Sequence, residues 1–388
     1  MVDPLVEFFR LEAASGIVLF GAAVAAMVWA NSPWSGTYRW LFGDQLSISS
    51  GPLRVAVQPG QLIDDGLMTV FFFLVGMEIK RELAVGELKT LSSALLPAIA
   101  AAGGMAVPAA IYAALNASGP GASGWAIPMA TDIAFCIGCL TLLKGRVPNA
   151  LVVFLIALAI FDDMGGVLVI ALFYGHGIDP LWLAAAVALA ALVVGANRLG
   201  RQRWFVYLPA GVVLWVAVHR SGIHATIAGV ILGFLIPARD QGERKAPINA
   251  FIHALHPWVA FGIMPLFALA SAGVDLSTVS VRGLLSPVPI GVALGLVVGK
   301  QVGIFAFAYA AIRLGISPMP GNARVVQLWG VAILGGIGFT VALFIATLAF
   351  GSEAPLLSRA KLGVLIGSLA SGLTGYALLR FTAARQAT

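Results

Sequence analysis

The sequence predicts an all-α polytopic membrane protein, from three observations: an apolar composition, repeated apolar stretches of membrane-spanning length, and an uneven distribution of basic residues. Of the 388 residues, 60% are hydrophobic and only 10% are charged, whereas a soluble domain has roughly 25% charged residues. Lipid is therefore the expected solvent. We expect residues 1–388 to form one transmembrane transporter domain.

Apolar stretches that approach the roughly 20 residues of a spanning helix recur along the whole chain. Some reach this length only when small or polar residues are included, and the weakest boundary lies at residues 219–222, between spans seven and eight. The twelve predicted spans, by approximate limits, are 12–30, 62–82, 93–115, 124–143, 150–173, 181–197, 204–219, 221–237, 256–272, 287–311, 326–350 and 358–379.

The Lys and Arg residues give an independent test of this count, because cytoplasmic loops of membrane proteins are enriched in basic residues. With both termini in the cytoplasm, sixteen of the 23 fall in cytoplasmic segments, six fall in outer ones, and Lys300 lies within span ten. The asymmetry favours twelve spans. The net charge of +6 does not indicate nucleic-acid binding, because no basic run of five or more occurs.

One outer segment, residues 45–58, has the pattern of a β-hairpin. Polar and apolar residues alternate on both sides of Gly51 and Pro52, as in two short strands joined by a turn. An ordered loop explains the pattern equally well. The other interpretation is an edge offered to a second subunit, since an isolated two-stranded hairpin is marginally stable. It predicts a homodimer formed through 45–58.

The two cysteines, Cys136 and Cys139, have the spacing of a redox or zinc pair. They lie in an apolar stretch, and the chain has no second pair to complete four zinc ligands. We therefore expect two packed thiols.

Few ionisable residues remain inside the predicted spans, and they are functional candidates because a charge at membrane depth is costly unless paired or hydrated. Asp162 and Asp163 lie about twelve residues, or roughly 18 Å, into span five, close to the midplane. Lys300 is similarly deep in span ten, and Asp132 lies about eight residues into span four. Asp65 is near the start of span two.

The adjacent aspartates are expected to have different roles. Side chains of successive helical residues diverge by about 100°, so one carboxylate can face a partner while the other faces a cavity. Two nearby carboxylates resist simultaneous ionisation, and a carboxylate can hold either a proton or a hard cation such as sodium. Competition for one site would give ion exchange. The alternative is that the charges pair only to fix helix packing.

Two spans contain residues that interrupt a helix at mid-depth. Span four has Pro128 before Thr131 and Asp132, and span eleven has three glycines within Leu334–Thr340. These spans belong to blocks of three, spans three to five and ten to twelve, whose spacing would give them opposite orientations. Matching interruptions in inverted repeats indicate a transporter site.

The opposed half-helix ends carry fractional dipole charges. We expect Asp132 to offset the positive N-terminal ends and Lys300 the negative C-terminal ends. For span eleven alone, glycines that only permit close helix packing are the alternative.

At these residues the sequence resembles the NhaA family of bacterial sodium/proton antiporters, over nearly the whole chain. The inverted-repeat interpretation is not independent of this resemblance, because that architecture is typical of the family. The matching stretches are Val75–Leu83, Ala130–Phe135, Ala157–Asp163, Ser221–Thr226, His256–Trp258 and Gly336–Thr340.

The resemblance implies a secondary antiporter of the bacterial inner membrane, without a cofactor, whose two interrupted helices cross at mid-membrane. It would exchange cytoplasmic sodium or lithium for external protons, electrogenically, and be activated at alkaline pH. Asp163 would be the principal carrier, and Asp162 would exchange its partner Lys300 during the cycle. Thr131 would join both aspartates around the transient sodium and, with Asp132, support the crossed half-helices.

The resemblance also assigns the pH response to a cytoplasmic funnel, here Glu78, Arg81, Glu82 and His253. For His253, a hydrogen-bonded interfacial histidine is the favoured alternative. We assign Asp65 to an access funnel.

Two other function classes fit part of the pattern. An intramembrane aspartyl protease needs aspartates on separate helices, which Asp132 and Asp162 or Asp163 could supply. Neither site has the Gly-x-Gly-Asp context of that class, and Lys300 would have no role. A sodium channel or sodium-coupled symporter could share the interrupted-helix design. The sequence favours an antiporter and not an enzyme.

Overall fold

A computed structural model describes residues 4–44, 46–50, 53–143, 146–175, 177–200, 203–240, 246–321 and 323–382. The prediction of a helical membrane protein is confirmed, and the α-helices of the described residues follow in chain order. The first are α1 Pro4–Ala30, α2 Ser35–Phe42, α3 Pro59–Leu62, α4 Met68–Ala84, α5 Leu91–Asn116, α6 Ile133–Leu142, α7 Asn149–Phe173, α8 Pro180–Arg198 and α9 Trp204–Arg220. The others are α10 Ile227–Leu235, α11 Ile248–Trp258, α12 Met264–Ser271, α13 Val281–Leu284, α14 Pro287–Leu294, α15 Gln301–Arg313, α16 Val325–Leu334, α17 Phe339–Phe350 and α18 Ala354–Thr382.

Two short strands lie in the segment predicted as a hairpin. Strand β1, Leu46–Ser50, pairs antiparallel with β2, Leu53–Val57, so that Leu46 is opposite Val57. Residues 45, 51 and 52 of the predicted hairpin, and both chain ends, lie outside the described residues.

The number of helices that could span a membrane is smaller than the twelve spans predicted. By length and composition, six described helices qualify, or up to nine when each of three bent pairs counts as one span. Predicted spans 62–82, 204–219 and 221–237 correspond to the shorter helices α4, α9 and α10. The last has only nine helical residues, because the chain first turns at Gly222, whose φ of 85° favours glycine.

The described chain divides into two compact units. The first comprises Met1–Ser32, Thr90–Gly166 and Ser271–Thr388. Within it α5 and α15 touch through their backbones: a Cβ at Gly103 would lie 2.4 Å from the Gly303 carbonyl oxygen, and one at Gly303 would lie 2.1 Å from that of Gly103. Only glycine permits this approach, which places α5 directly beside the span that carries Lys300.

The second unit comprises Pro33–Lys89 and Val167–Ala270. Its helices α4 and α10 pack closely, because a Cβ at Gly229 would lie 2.2 Å from the Thr69 carbonyl oxygen and one at Gly233 would lie 2.7 Å from that of Phe73. Small residues again set the helix separation.

Candidate ion site at two interrupted helices

The first interruption separates a 3-10 helix, Pro120–Met129, from α6, and the axes of the two segments differ by 44°. Pro128 has no amide to donate, and Ala130 is extended with a φ of −73° and a ψ of 150°. Asp132 then caps α6, because its carboxylate accepts a 3.1 Å hydrogen bond from the Phe135 amide. The proline and the capping aspartate together explain the break.

The second interruption separates α16 from α17, again with a bend of 44°. A Cβ at Gly336 would lie 2.5 Å from the Leu296 carbonyl oxygen, and one at Gly338 would lie 3.1 Å from that of Ala130. The amide of Asp132 donates a 2.7 Å hydrogen bond to the Ile337 carbonyl. The two breaks therefore cross in contact with each other, and the glycines make this crossing possible.

One buried carboxylate serves the N-terminal ends of α6 and α17, the second half-helix of each interrupted span. Besides capping α6, Asp132 accepts hydrogen bonds from the Thr340 hydroxyl at 2.5 Å and the Thr340 amide at 3.2 Å, in the first turn of α17. The Ser368 hydroxyl accepts from the preceding amide, that of Phe339, at 3.1 Å. A negative charge at helix N-termini is favourable, and these contacts place Asp132 where the charge compensation proposed for it would act.

The C-terminal ends of the first half-helices, Pro120–Met129 and α16, are met by hydrogen-bond donors. The Lys300 ammonium donates to the Met129 carbonyl and to Oδ2 of Asp162. The Thr131 hydroxyl lies 2.8 Å from the Gly335 carbonyl oxygen and 2.7 Å from the same Asp162 Oδ2. Since a hydroxyl has one proton, Thr131 donates to only one of these acceptors at a time.

The Asp162 and Lys300 pair is enclosed by protein. The exposed fraction is 3% for Asp162, 0% for Lys300 and 8% for Asp163. Oδ1 of Asp162 is buried and has no hydrogen-bond partner among the described residues. A buried carboxylate oxygen in this condition has lone pairs available for a proton or a cation.

Within the described ranges, no group of three or more His, Cys, Asp and Glu side chains could hold a metal ion. The predicted transient sodium ligands are Asp162, Asp163 and Thr131. They do not form such a group, because only two of them are acidic and the third is a threonine. A set of oxygen ligands for sodium can still include hydroxyl and backbone carbonyl groups.

The remaining predicted site residues lie in the second unit. Arg81 donates to Glu82 at 2.9 Å, and Glu78 is on the same helix, α4. His253 is exposed on α11. Asp65 lies in the π-helical turn Ile63–Leu67, before α4.

Asp65 has a histidine neighbour that the sequence alone did not pair with it. Oδ1 of Asp65 is 3.6 Å from Nε2 of His224. The Nδ1 atom of His224 in turn contacts the Thr226 hydroxyl at 2.8 Å. These polar contacts give Asp65 a defined setting, while its assignment to an access funnel stays a prediction.

Both cysteines are free thiols, as predicted. Cys136 is buried, and its thiol donates to the Leu334 carbonyl at 3.1 Å, in the last turn of α16. It adds a third donor at the C-terminal ends of the half-helices, beside Lys300 and Thr131.

Sequence reasoning missed three residues that complete the crossing: Thr340, Ser368 and Cys136. Thr340 lies two residues after the last glycine of span eleven, and a polar residue at that depth was a usable signal. Ser368 and Cys136 had no comparable signal, because their contacts depend on how α18 and α6 are rotated.

A family model described as Na+/H+ antiporter 1 matches residues 6–379. The chain belongs to this family. A protein of Anaeromyxobacter sp. named as the Na(+)/H(+) antiporter NhaA is 53% identical, over 98% of this chain and 92% of that protein. The similarly named proteins of Rhodospirillum rubrum and Vibrio alginolyticus are 51% and 46% identical, and each match covers at least 99% of both chains.

The resemblance to the NhaA family is thus confirmed across the whole chain. Its members are transporters, so the chain is a transporter and not an enzyme. The intramembrane aspartyl protease alternative is wrong, because the chain belongs to a family of antiporters. In addition, Asp132 is held by two helix termini and Asp162 by Lys300.

Proposed function

We propose that this chain exchanges cytoplasmic sodium or lithium for external protons through the crossing of its two interrupted helices. The supporting observation is the buried pair of Asp162 and Lys300, held at the Met129 and Gly335 ends of the half-helices. A buried ion pair contributes little to stability as a packing device. It is better suited to a site where one partner is exchanged.

Asp163 is the principal carrier in this proposal, and Asp162 is the residue whose partner changes. Asp162 offers one oxygen to Lys300 and Thr131, while its second oxygen is buried without a partner among the described residues. Sodium prefers oxygen ligands. Its arrival at Asp163, Asp162 and Thr131 competes with Lys300 for Asp162 and with a proton for Asp163.

Exchange follows from this competition, because sodium and protons cannot occupy the same carboxylate oxygens together. Two acidic side chains and one lysine take part, so entry of one sodium ion can displace more than one proton. Net charge then moves in each cycle, which makes the exchange electrogenic. No cofactor is needed for binding and release of these ions.

The proposed architecture has twelve spans, with spans three to five and ten to twelve as inverted repeats. Two features support it: each repeat contains one interrupted helix, and both interruptions bend by 44°. We place both termini in the cytoplasm and the chain in the bacterial inner membrane. The strand pair β1 and β2 serves a homodimer in this proposal.

Activation at alkaline pH belongs to the same proposal. Glu78, Arg81, Glu82 and His253 form the cytoplasmic funnel that responds to pH, and Asp65 belongs to an access funnel. The ion pair of Arg81 and Glu82 on α4 supports this assignment, because it places opposite charges at the proposed funnel.

The test uses everted membrane vesicles with a fluorescent reporter of the proton gradient. Added sodium or lithium should dissipate the gradient in vesicles with the wild-type chain, more strongly at alkaline pH, and potassium should not. Absence of any response to sodium at neutral and alkaline pH would overturn the proposal. A channel would pass sodium without moving protons, and a symporter would move both in the same direction.

The carrier role is tested in the same assay with Asp163→Asn, which keeps side-chain size but removes the charge. We expect no exchange from a protein that still inserts and folds. Asp179→Asn is the matched control, because Asp179 is exposed and only caps α8. Full exchange by Asp163→Asn would remove Asp163 from the carrier role.

A further inference from the structure

Lys300 ends a widened helical turn. Residues Gly295–Lys300 form a π-helix between α14 and α15. A π-turn inserts one extra residue into a helix, is rare, and is common at functional sites. The inserted residue rotates the side chains around it relative to a regular helix, so this turn decides which way Lys300 faces.

One side of the π-turn is pressed against the neighbouring spans. A Cβ at Gly295 would lie 2.6 Å from the Cβ of Pro128, and one at Gly299 would lie 2.6 Å from the Cα of Pro108. These contacts involve rigid proline rings and backbone. They limit movement of the turn in that direction only.

Two polar side chains hold the turn elsewhere. The backbone amide of Gln301 bonds to the Val298 carbonyl, while its side-chain amide donates to the carbonyl of Val297. The Trp329 indole donates to the side-chain oxygen of Gln301 at 3.2 Å. The Gln301 side chain therefore uses both its donor and its acceptor.

Trp329 belongs to α16, the first half of the second interrupted helix, and 46% of its surface is exposed. Its ring stacks on Phe305 of α15, with centroids 5.3 Å apart and planes at 25°. The link from Trp329 through Gln301 to Val297 is thus a defined connection between α16 and the π-turn.

We propose that Gln301 and Trp329 are positioning residues that hold the π-turn so that Lys300 meets Asp162. This inference rests on the proposed function, in which sodium competes with Lys300 for Asp162. A turn held firmly keeps Lys300 on Asp162 and makes it a stronger competitor. Loosening the turn weakens that competitor, so sodium binds more readily.

A change in local charge is not an alternative explanation for such an effect. The charged groups at this position include Asp162, which pairs with Lys300, and Asp132 at the first interruption. Helices α5, α16 and α17 contain no Asp, Glu, Lys, Arg or His. Neutral substitutions of Gln301 or Trp329 leave these charges in place.

Two substitutions remove the link with little change of shape. Trp329→Phe keeps a ring on Phe305 but loses the indole N–H, and Gln301→Met keeps the length of the side chain but loses its amide. The control is Trp40→Phe, at an exposed tryptophan of α2. Apparent KM for sodium and maximal rate are measured in everted vesicles at one fixed pH, together with the melting temperature of the purified protein.

We expect each variant to lower the apparent KM for sodium about threefold, the size of effect that one net hydrogen bond supplies, while Trp40→Phe leaves it unchanged. The double variant should match the single ones, because the residues act as one link. An unchanged or raised KM, even with a lower melting temperature, would overturn the inference, as would additive effects in the double variant. Loss of exchange in the wild-type chain would instead overturn the proposed function.

Discussion

The two interrupted helices have the same bend of 44° but opposite chemistry. The first is broken at Pro128 and brings two polar side chains, Thr131 and Asp132, into the crossing. The second is broken at glycines and brings mainly backbone groups, such as the Gly335 and Ile337 carbonyls. The comparison teaches that the first break contributes polar side chains, whereas the second contributes backbone carbonyls, the Thr340 hydroxyl and the space that its glycines leave.

This division has a steric cause. The two chains cross with a 2.7 Å backbone hydrogen bond between Asp132 and Ile337. On either side of Ile337 there is little room for a Cβ at Gly336 or Gly338. The glycines of the second break therefore leave the space that Thr131 and Asp132 of the first break occupy. Substitutions should consequently fail for different reasons on the two sides: loss of a polar group on the first, and a steric clash on the second.

The largest effect is expected for Asp132→Ala on the first side. It leaves amides of two half-helices without their buried acceptor, and each unsatisfied buried group costs about 1–3 kcal/mol. We expect the free energy of unfolding to fall by about 3 kcal/mol and the sodium-dependent exchange rate to fall at least about tenfold. Thermal unfolding in detergent and the vesicle assay measure the two quantities.

The control for Asp132 is Asp179→Ala, which removes an exposed cap whose carboxylate accepts from Leu181 and Trp182 of one helix only. An ordinary cap is worth about 1 kcal/mol. Equal losses in the two variants would show that Asp132 is an ordinary cap and would break the contrast between the two sides.

The next effect is expected for Gly336→Ala on the second side. Its Cβ would lie 2.5 Å from the Leu296 carbonyl oxygen, so the crossing must open, at a cost of about 1–3 kcal/mol. Gly138→Ala on α6 is the matched control, because its Cβ meets nothing within 4 Å and alanine favours a helix. Equal stability of the two variants in thermal unfolding would show that the second break does not act by leaving space for the crossing.

A smaller effect is expected for Thr131→Val, which keeps the shape of the side chain but loses the hydroxyl. Asp162 and the Gly335 carbonyl then lose a shared donor, so apparent KM for sodium should rise several-fold, as for one lost hydrogen bond to a charged group. Thr131→Ser retains the donor and should stay near the wild-type value. A rise with Ser as large as that with Val would exclude the hydroxyl as the cause.

The smallest effect is expected for Cys136→Ala. A thiol is a weak donor, so loss of its contact with the Leu334 carbonyl should lower the free energy of unfolding by about 1 kcal/mol or less. Cys139→Ala is the control, since that thiol is only half-buried. A loss of stability greater than that of Gly336→Ala would reverse the expected order of the two effects.

Much of the crossing could be predicted from the sequence, because charges deep in an apolar chain are few. Asp162 and Lys300 were candidates for this reason alone, and the position of Asp132 after Pro128 indicated a cap. The π-turn before Lys300 escaped prediction, since an apolar stretch gives no signal for one extra residue per turn. Ser368 escaped because its partner, the Phe339 amide, lies on another helix.

The count of spans shows a second limit. Apolar length predicted a complete span at 221–237, yet the helix is confined to Ile227–Leu235. Composition records how much of a segment avoids water but not whether its backbone is helical. A positive φ at Gly222 is a local conformational choice that apolar length does not reveal.

The Thr131 hydroxyl has a consequence for communication between the two breaks. It lies within hydrogen-bond distance of a side chain on one span and of a backbone carbonyl on another, but it has one hydrogen atom to give. When the hydroxyl donates to one acceptor, the other lacks this hydrogen bond. The Gly335 carbonyl at the end of α16 and Asp162 therefore compete for a single donor. The vibrational frequency of the Gly335 carbonyl would report which of the two acceptors receives the hydrogen bond.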